Sequence, residues 1–492
     1  MRNFCRPAQA WILLALVTAG CSVGPKYVRP GAPVPPGFKE PPPEAFKEMS
    51  GWKVGEPRDG LIRGHWWEIF GDPQLNALEQ QINPSNQTLA AAEAQFRGAR
   101  AAIRVSRAGL YPTITGGASV SGSQISNNRT AGRTLTTGAA ADIQIPIDVS
   151  WEIDLWGRIH KTIEASINTA QATAADLENV RLSLQAALAL DYFQLRGLDA
   201  EKQLLDSTMT AYEKALQLTT NRYNQGVASM VDVTQSQTQL EQTRAEATDT
   251  LVQRQQLEHA IAILTGKPPA ELSIPPAPLS MTPPAIPVGL PSELLERRPD
   301  IAGVERRVAA ANAQIGIAKV AYYPTLTLGG AFGLESSTLR NLFTWPSHFW
   351  SVGPSLVETV FERGRRRGLT EEAQAAYDAL VAGYRETVLT AFQDVEDNLG
   401  ALRILDQEAK EQAGAVGFAE RALQLANNRY QGGITTYLEV ITAQAAALAN
   451  ERTAVGIQTR RMVASVALIK ALGGGWDVSK LPSAQELTPG NR

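Results

Sequence analysis

The stretch Asp142-Ile143-Gln144-Ile145-Pro146-Ile147-Asp148-Val149-Ser150-Trp151-Glu152-Ile153-Asp154 decides the fold of this chain. Ile143, Ile145, Ile147, Val149, Trp151 and Ile153 alternate with Asp142, Gln144, Asp148, Ser150, Glu152 and Asp154. Successive side chains of a strand point to opposite faces, so the alternation makes one apolar face and one polar face. Upstream, Ile114, Ala118 and Val120 alternate with Thr113, Thr115, Ser119, Ser121 and Ser123. The polar, basic run Ser126 to Thr137 between these two strands reads as a loop.

The second half of the chain repeats the scheme less strictly. Leu326, Leu328, Phe332 and Leu334 make one face of a strand, and Trp350, Val352 and Leu356 one face of the next. A soluble sheet satisfies such a pattern, and so does a transmembrane barrel with its apolar face to lipid. Strands of about 10 to 13 residues suit a tilted membrane strand and exceed the soluble mode of about 5 or 6. Small polar residues on the other face suit a lumen better than a packed core, so the membrane reading is preferred. Four strands do not close a barrel, because the smallest closed ones use about eight. The chain must therefore oligomerise, and small inner residues (Gly117, Ser119, Ser121, Gly329, Gly333) favour three copies over two.

The halves are a duplication. Leu110-Tyr111-Pro112-Thr113-Ile114-Thr115 resembles Tyr322-Tyr323-Pro324-Thr325-Leu326-Thr327, and Trp156-Gly157-Arg158 is answered by Arg363-Gly364-Arg365. The turn LQLTTNRYNQGVASMVDV (Leu216–Val233) returns as LQLANNRYQGGITTYLEV (Leu423–Val440). Tyr223 to Tyr430 and Gly157 to Gly364 both span 207 positions (430 − 223, 364 − 157), so spacing is kept across each half.

Between strands and turns the sequence is helical. Gly157 to Gly266 lacks proline, and Leu184, Leu188, Leu195, Leu198, Leu205, Met209, Tyr212 and Leu216 recur in a narrow seam of coiled-coil type. A helix from Gly157 to Tyr223 would run roughly 100 Å. The stretch about Met230 to Leu264 returns at half that length, and the second half offers the same pair, about Arg366 to Tyr430 and Tyr437 to Leu472. Shorter patterns, about Thr88 to Ala108 and Pro299 to Ala321, precede each hairpin.

Composition excludes several classes. With 492 residues and a net charge of −3, the chain lacks the basic field of a nucleic-acid protein. The only cysteines are Cys5 and Cys21, so neither a disulfide framework nor a cysteine metal site is available. His65, His160, His259 and His348 are scattered without metal-ligand spacing. No nucleophile–base pairing or phosphate loop stands out, and Gly473-Gly474-Gly475 follows a helix rather than a strand, so no enzyme chemistry or cofactor is expected.

The N-terminus reads as a targeting segment, with Arg2 and Arg6 before the apolar run Trp11 to Val17. Thr18-Ala19-Gly20-Cys21 resembles a bacterial lipobox, with Thr18 where Leu is usual. An ordinary secretory signal with a stray cysteine is the alternative. In the lipoprotein sorting rule, Ser22 after the cysteine, rather than Asp, permits transfer to the outer membrane. Past Cys21 no uninterrupted apolar run is long enough for a transmembrane helix, so any span must be a closed β-barrel.

Taken together, the chain after Cys21 resembles the outer membrane efflux protein family, the TolC-like channels, and within it the lipoprotein branch of OprM and NodT type. The resemblance is carried by Trp66 to Leu75 (WWEIFGDPQL), the two Tyr-Pro-Thr strand starts, the two Arg-Tyr…Gly turns and Ala471 to Trp476 (ALGGGW), in that order and spacing. It implies an α+β membrane protein, a homotrimer in which each chain gives four strands to a 12-stranded barrel and long helices to a periplasmic α-helical barrel. It implies a passive duct in the outer membrane of a Gram-negative bacterium, anchored by acylation (palmitate among the chains) at Cys21. Its partners would be a periplasmic adaptor, an inner-membrane transporter of RND type and outer-membrane lipid.

The resemblance also assigns residues. Arg222, Tyr223, Gly226 and Ser229, with Arg429, Tyr430, Gly433 and Thr436, would form the hairpin tips where the adaptor docks. Asp232, Glu439 and Thr442 would line the periplasmic aperture, Glu439 as a ring of like charges under threefold symmetry, and an apolar ring from Leu438 is a further reading of the same mouth. As plain structure, the glycines end helices in a left-handed conformation and the acids sit in first helical turns, where the helix dipole favours them. Thr442 departs from the Asp that many members carry, and Thr435 from a latch Arg.

The expected organisation is a signal peptide (1–20), a lipidated tether (21–60), a first repeat (61–267; hairpin about 112–154, tip about 222–232), a proline-rich linker (268–291), a second repeat (292–475; hairpin about 324–361, tip about 429–439) and a tail (476–492). The competing readings are an exit duct for type I protein secretion and a structural coiled-coil envelope lipoprotein. The amphipathic strand pairs argue against the latter, because a rod needs no hairpins.

Overall fold

The computed structural model describes residues 23–41, 64–124, 140–286, 288 and 291–488. Cys21, the expected signal peptide, the loop 125–139 and most of the expected tether lie outside these residues.

One antiparallel sheet carries the strands β1 (Thr113–Gly116), β2 (Ser119–Ser123), β3 (Ala140–Ile153), β4 (Thr325–Ser336) and β5 (His348–Val357). β1 and β2 both pair with β3, which pairs with β4, which pairs with β5. The strand expected around Ile114 to Ser123 is therefore split. Its register against β3 continues from Gly116↔Ile147 to Ser119↔Gln144, and the gap faces Pro146, which has no N–H to donate. Pro146 still accepts the Gly117 N–H at 3.0 Å. On its other side it lies opposite Gly333, where a Cβ would come within 2.4 Å of the Ile145 carbonyl oxygen, so only glycine fits.

Register sets the two faces. Ile147, Phe332 and Trp350 line up across three strands, as do Ile153, Leu326 and Leu356. The alternate face carries Asp148, Ala331 and Ser351, and Glu152, Thr327 and Ser355. The apolar face is uncovered: Trp350 is 76% and Val352 69% exposed.

The sheet hands over to helices through a repeated device. In the first half the Asp154 carboxylate accepts the backbone N–H groups of Ile159 and His160, and Gly157 adopts φ +80°, which favours glycine. Helix α3 (Arg158–Asn224, 67 residues) starts there. Gly364, at φ +87°, precedes α7 (Arg365–Gln431, also 67 residues). Each long helix is followed by a shorter one, α4 (Met230–Leu264) after the first and α8 (Tyr437–Ala471) after the second. The other helices are α1 (Pro73–Ser85), α2 (Gln87–Ala108), α5 (Leu294–Arg297), α6 (Pro299–Val320) and α9 (Ala484–Leu487). Among the described residues no helix is long and apolar enough to cross a membrane.

The main core lies where α1, α3, α7 and α8 meet midway along the arms, around Trp66, Phe70, Tyr192, Phe193, Val388 and Ile469. The described parts of the expected tether and of the expected proline-rich linker are fastened to this body. Residues 23–41 are extended, yet the Pro25 carbonyl accepts from Asn312 Nδ2 at 3.1 Å, Tyr27 bonds Glu305, and Glu396 accepts the backbone N–H groups of Lys39 and Glu40. In the interhalf linker, Leu279 N–H donates to the Arg196 carbonyl, and Asp199 accepts from Arg196, Arg254 and the Ala277 N–H. Both segments have polar backbone that must be satisfied, and fixed partners on the helices supply the bonds.

Candidate functional site

The two hairpin turns meet at the end of the helical arms remote from the sheet. In the first, Gly226 takes φ +76° and donates its N–H to the Tyr223 carbonyl at 2.8 Å, while Val227 donates to the Arg222 carbonyl at 2.9 Å. In the second, Gly433 at φ +72° donates to Tyr430 at 3.0 Å and Ile434 to Arg429 at 2.9 Å. Left-handed glycine of this kind closes the last carbonyls of a helix.

Beyond this shared frame the turns differ. Ser229 and Asp232 exchange bonds in a capping box, each 3.2 Å long, which satisfies the N–H of the N-cap residue Ser229 and that of Asp232 in the first turn of α4. Thr436 makes no side-chain capping bond. Glu439, at the position equivalent to Asp232, instead pairs with Arg429 at 3.5 Å. The acids expected to act alike at the aperture thus have different work. The Asp232 carboxylate is committed to its own backbone, and Glu439 keeps a half-exposed carboxylate beside a guanidinium. The Thr442 hydroxyl turns back onto the Leu438 carbonyl at 2.9 Å, within its own helix.

The tips also touch one another. The Arg222 guanidinium lies over the Tyr430 ring at 4.7 Å and donates to the Gln431 carbonyl at 3.2 Å. Tyr430 is 5% exposed and packs against Tyr437 at 5.1 Å, whose hydroxyl meets Ser236 of α4 at 3.1 Å. Its repeat counterpart Tyr223 is 43% exposed. Burial is the main reason the Tyr437 phenol titrates above its usual range. Leu438, Met230, Val231 and Ile441 line an apolar cleft of about 440 Å³ between the first turns of α4 and α8.

The Arg222–Tyr430 contact and the Tyr437–Ser236 bond were not legible as a pair of signals, because each joins residues about one repeat apart. The cleft residues Met230 and Val231 carried one usable sign, an apolar residue in an exposed first turn; Ile441, half-buried beyond the first turn of α8, carried none.

The chain matches the family model described as outer membrane efflux protein over residues 78–267 and 290–474. It is 31% identical over 469 residues to the outer membrane protein OprJ of Pseudomonas aeruginosa, covering 95% of each chain. It is 31% identical over 484 residues to the toluene efflux pump outer membrane protein TtgF of Pseudomonas putida, covering 98% of each. Among solved structures, it resembles a membrane protein from Pseudomonas aeruginosa with a TM-score of 0.84 at 31% identity, covering 93% of this chain and 98% of that one.

Proposed function

The chain belongs to the outer membrane efflux protein family, and on that premise we propose that it is the passive exit duct of a tripartite pump, closed by three copies into one channel. One observation carries the reading: a sheet with an uncovered apolar face and a small, polar opposite face is joined to helices of 67 residues. With β1 and β2 counted as one interrupted strand, each sheet has four strands and three would supply twelve, enough for an open lumen. The helices, about 100 Å long, would continue that lumen through the periplasm. The channel does no chemistry; the driving force would come from an inner-membrane transporter of RND type through an adaptor.

In this reading the adaptor's helices dock on the tip residues Arg222, Tyr223, Gly226, Ser229, Arg429, Tyr430, Gly433 and Thr436. Leu438 and Glu439 narrow the mouth, with Asp232 and Thr442 holding the backbone behind them. Acylation of Cys21 adds a membrane anchor. Its support is the Val23 N–H, which donates at 3.3 Å to the Trp156 carbonyl where β3 passes into α3, so the chain just after Cys21 begins at the foot of the sheet.

The test is reconstitution. Purified protein is expected to run as a trimer by mass, to keep a heat-resistant β-signal in detergent and to form discrete channels in planar bilayers. A monomeric rod without channels would overturn the reading.

A further inference from the structure

Helix α2 carries Arg97, Arg100, Arg104 and Arg107 at intervals of three and four residues, which gathers them on one face. Glu93 is the single acid of that helix. Among the described residues none of the four guanidiniums makes an ion pair or hydrogen bond; Arg100 alone has a ring contact, 5.9 Å from the Phe96 centroid. Acids on the elements packed alongside are engaged elsewhere, Glu164 with Lys161 and Glu486 with the Ser483 N–H.

Duplication does not account for the row. Aligned on Tyr111-Pro112 and Tyr323-Pro324, the equivalent positions of α6 are Ala309, Asn312, Gly316 and Lys319. There the N-terminal strap covers the helix, with Pro25 bonded to Asn312 and Gly24 seated on Gly316. Among the described residues, the corresponding groove on α2 receives the C-terminal segment, whose Leu487 packs with Ile103 and Ala170. What remains is a cleft of about 190 Å³, walled by Arg100, Arg104, Arg107 and Tyr111 over an apolar floor of Ile103 and Leu487. Arg107 lies in the last turn of α2 and β1 starts at Thr113, so the cleft opens at the foot of the sheet.

Planar guanidiniums match phosphate oxygens, and an apolar floor beneath them matches the start of an acyl chain. We propose that this cleft binds the phosphodiester headgroup of an anionic phospholipid in the periplasm-facing leaflet of the outer membrane. The proposal rests on the reading that the sheet spans that membrane. The row orients the channel against the leaflet at a point separate from the Cys21 anchor.

The test titrates short-chain phosphatidylglycerol and phosphatidylcholine onto the full-length trimer in neutral detergent, with bound lipid counted by native mass spectrometry. Saturable, salt-sensitive preference for phosphatidylglycerol is expected. It should fall about fivefold in Arg104→Gln and about a hundredfold in Arg100→Gln/Arg104→Gln/Arg107→Gln. No preference in the wild type, or equal retention in wild type and triple variant, overturns the proposal. So does equal competition by inorganic phosphate, which would mark a free-anion site. If the triple variant does not assemble, Arg104→Gln decides. Failure of the wild type to insert into bilayers would count instead against the channel reading.

Discussion

The guanidinium carbon of Arg222 sits 4.7 Å from the centre of the Tyr430 ring, so the end of one helical arm rests its charge on the end of the other. Tyr430 belongs to the small apolar cluster that also holds Ala426, Tyr437 and Val440. Losing the contact removes one of the links between the arm ends, beside the Tyr437–Ser236 bond, and leaves the main core, far along the helices, intact. At partly exposed sites such a contact is worth about 0.5–1 kcal/mol, a two- to fivefold shift in a closed-to-open equilibrium. Arg222→Ala and Tyr430→Leu are therefore expected to raise resting conductance in planar bilayers with no change in trimer stability. Unchanged conductance in both would separate this contact from closure.

Asp232 and Glu439 occupy equivalent positions with different partners, and the difference predicts opposite phenotypes. Asp232→Asn keeps an acceptor for the Ser229 N–H but loses the charge at the helix start; Asp232→Ala removes the box and should cost about 1 kcal/mol of local stability. Glu439→Gln breaks only an exposed pair, worth under about 1 kcal/mol, so folding should be untouched. Its effect should appear in the channel as weaker cation preference and weaker block by divalent ions. Thermal unfolding of Asp232→Ala beside single-channel recordings of Glu439→Gln checks both halves. A Glu439→Gln channel with native selectivity would leave the acid outside the aperture.

Gly226 and Gly433 are needed for conformation rather than for room. At either residue a Cβ would meet nothing within 4 Å, but both backbones are left-handed. A β-branched residue there costs about 1–2 kcal/mol, while asparagine tolerates the conformation. Gly433→Val is expected to give a folded trimer that no longer supports efflux in cells, and Gly433→Asn to retain most of it. Equal efflux in cells for the two variants would show that the turn's shape does not govern docking.

Where the sequence was readable, period and spacing carried the information. Ile143 to Ile153 alternate so strictly that the strand and its two faces follow from side-chain direction alone. Gly157 and Gly364 mark both long helix starts because they precede proline-free runs. Contacts between distant segments left no such trace. The strap's bonds to Asn312, Glu305 and Glu396 involve ordinary polar residues without periodicity. Pro146 gave no warning of the break between β1 and β2, since its effect falls on the neighbouring strand. Asp232 and Glu439 read as equivalent because one methylene group changes reach, not charge.

Glu79 offers a stability prediction with a defined pH dependence. It is wholly buried on α1 among Leu75, Leu78 and Ile82, and neither carboxylate oxygen has a hydrogen-bond partner among the described residues. Burial pushes its carboxyl well above the usual carboxylate range. In the unfolded chain the group ionises above about pH 4.3, whereas the fold favours the protonated form. Below that pH both states hold the proton and folding carries no penalty. As pH rises from there toward the folded pKa, folding must take up a proton and stability is lost. Glu79→Leu removes the titration and fills the same apolar site. Its stability should exceed that of the wild type by a small margin at pH 4 and by a growing margin up to pH 8, about 1–3 kcal/mol in all for a buried group left unsatisfied. Calorimetry of the detergent-solubilised trimer across that range measures the gap. A gap that stays constant with pH would mean that Glu79 finds a partner for its charge in the folded channel.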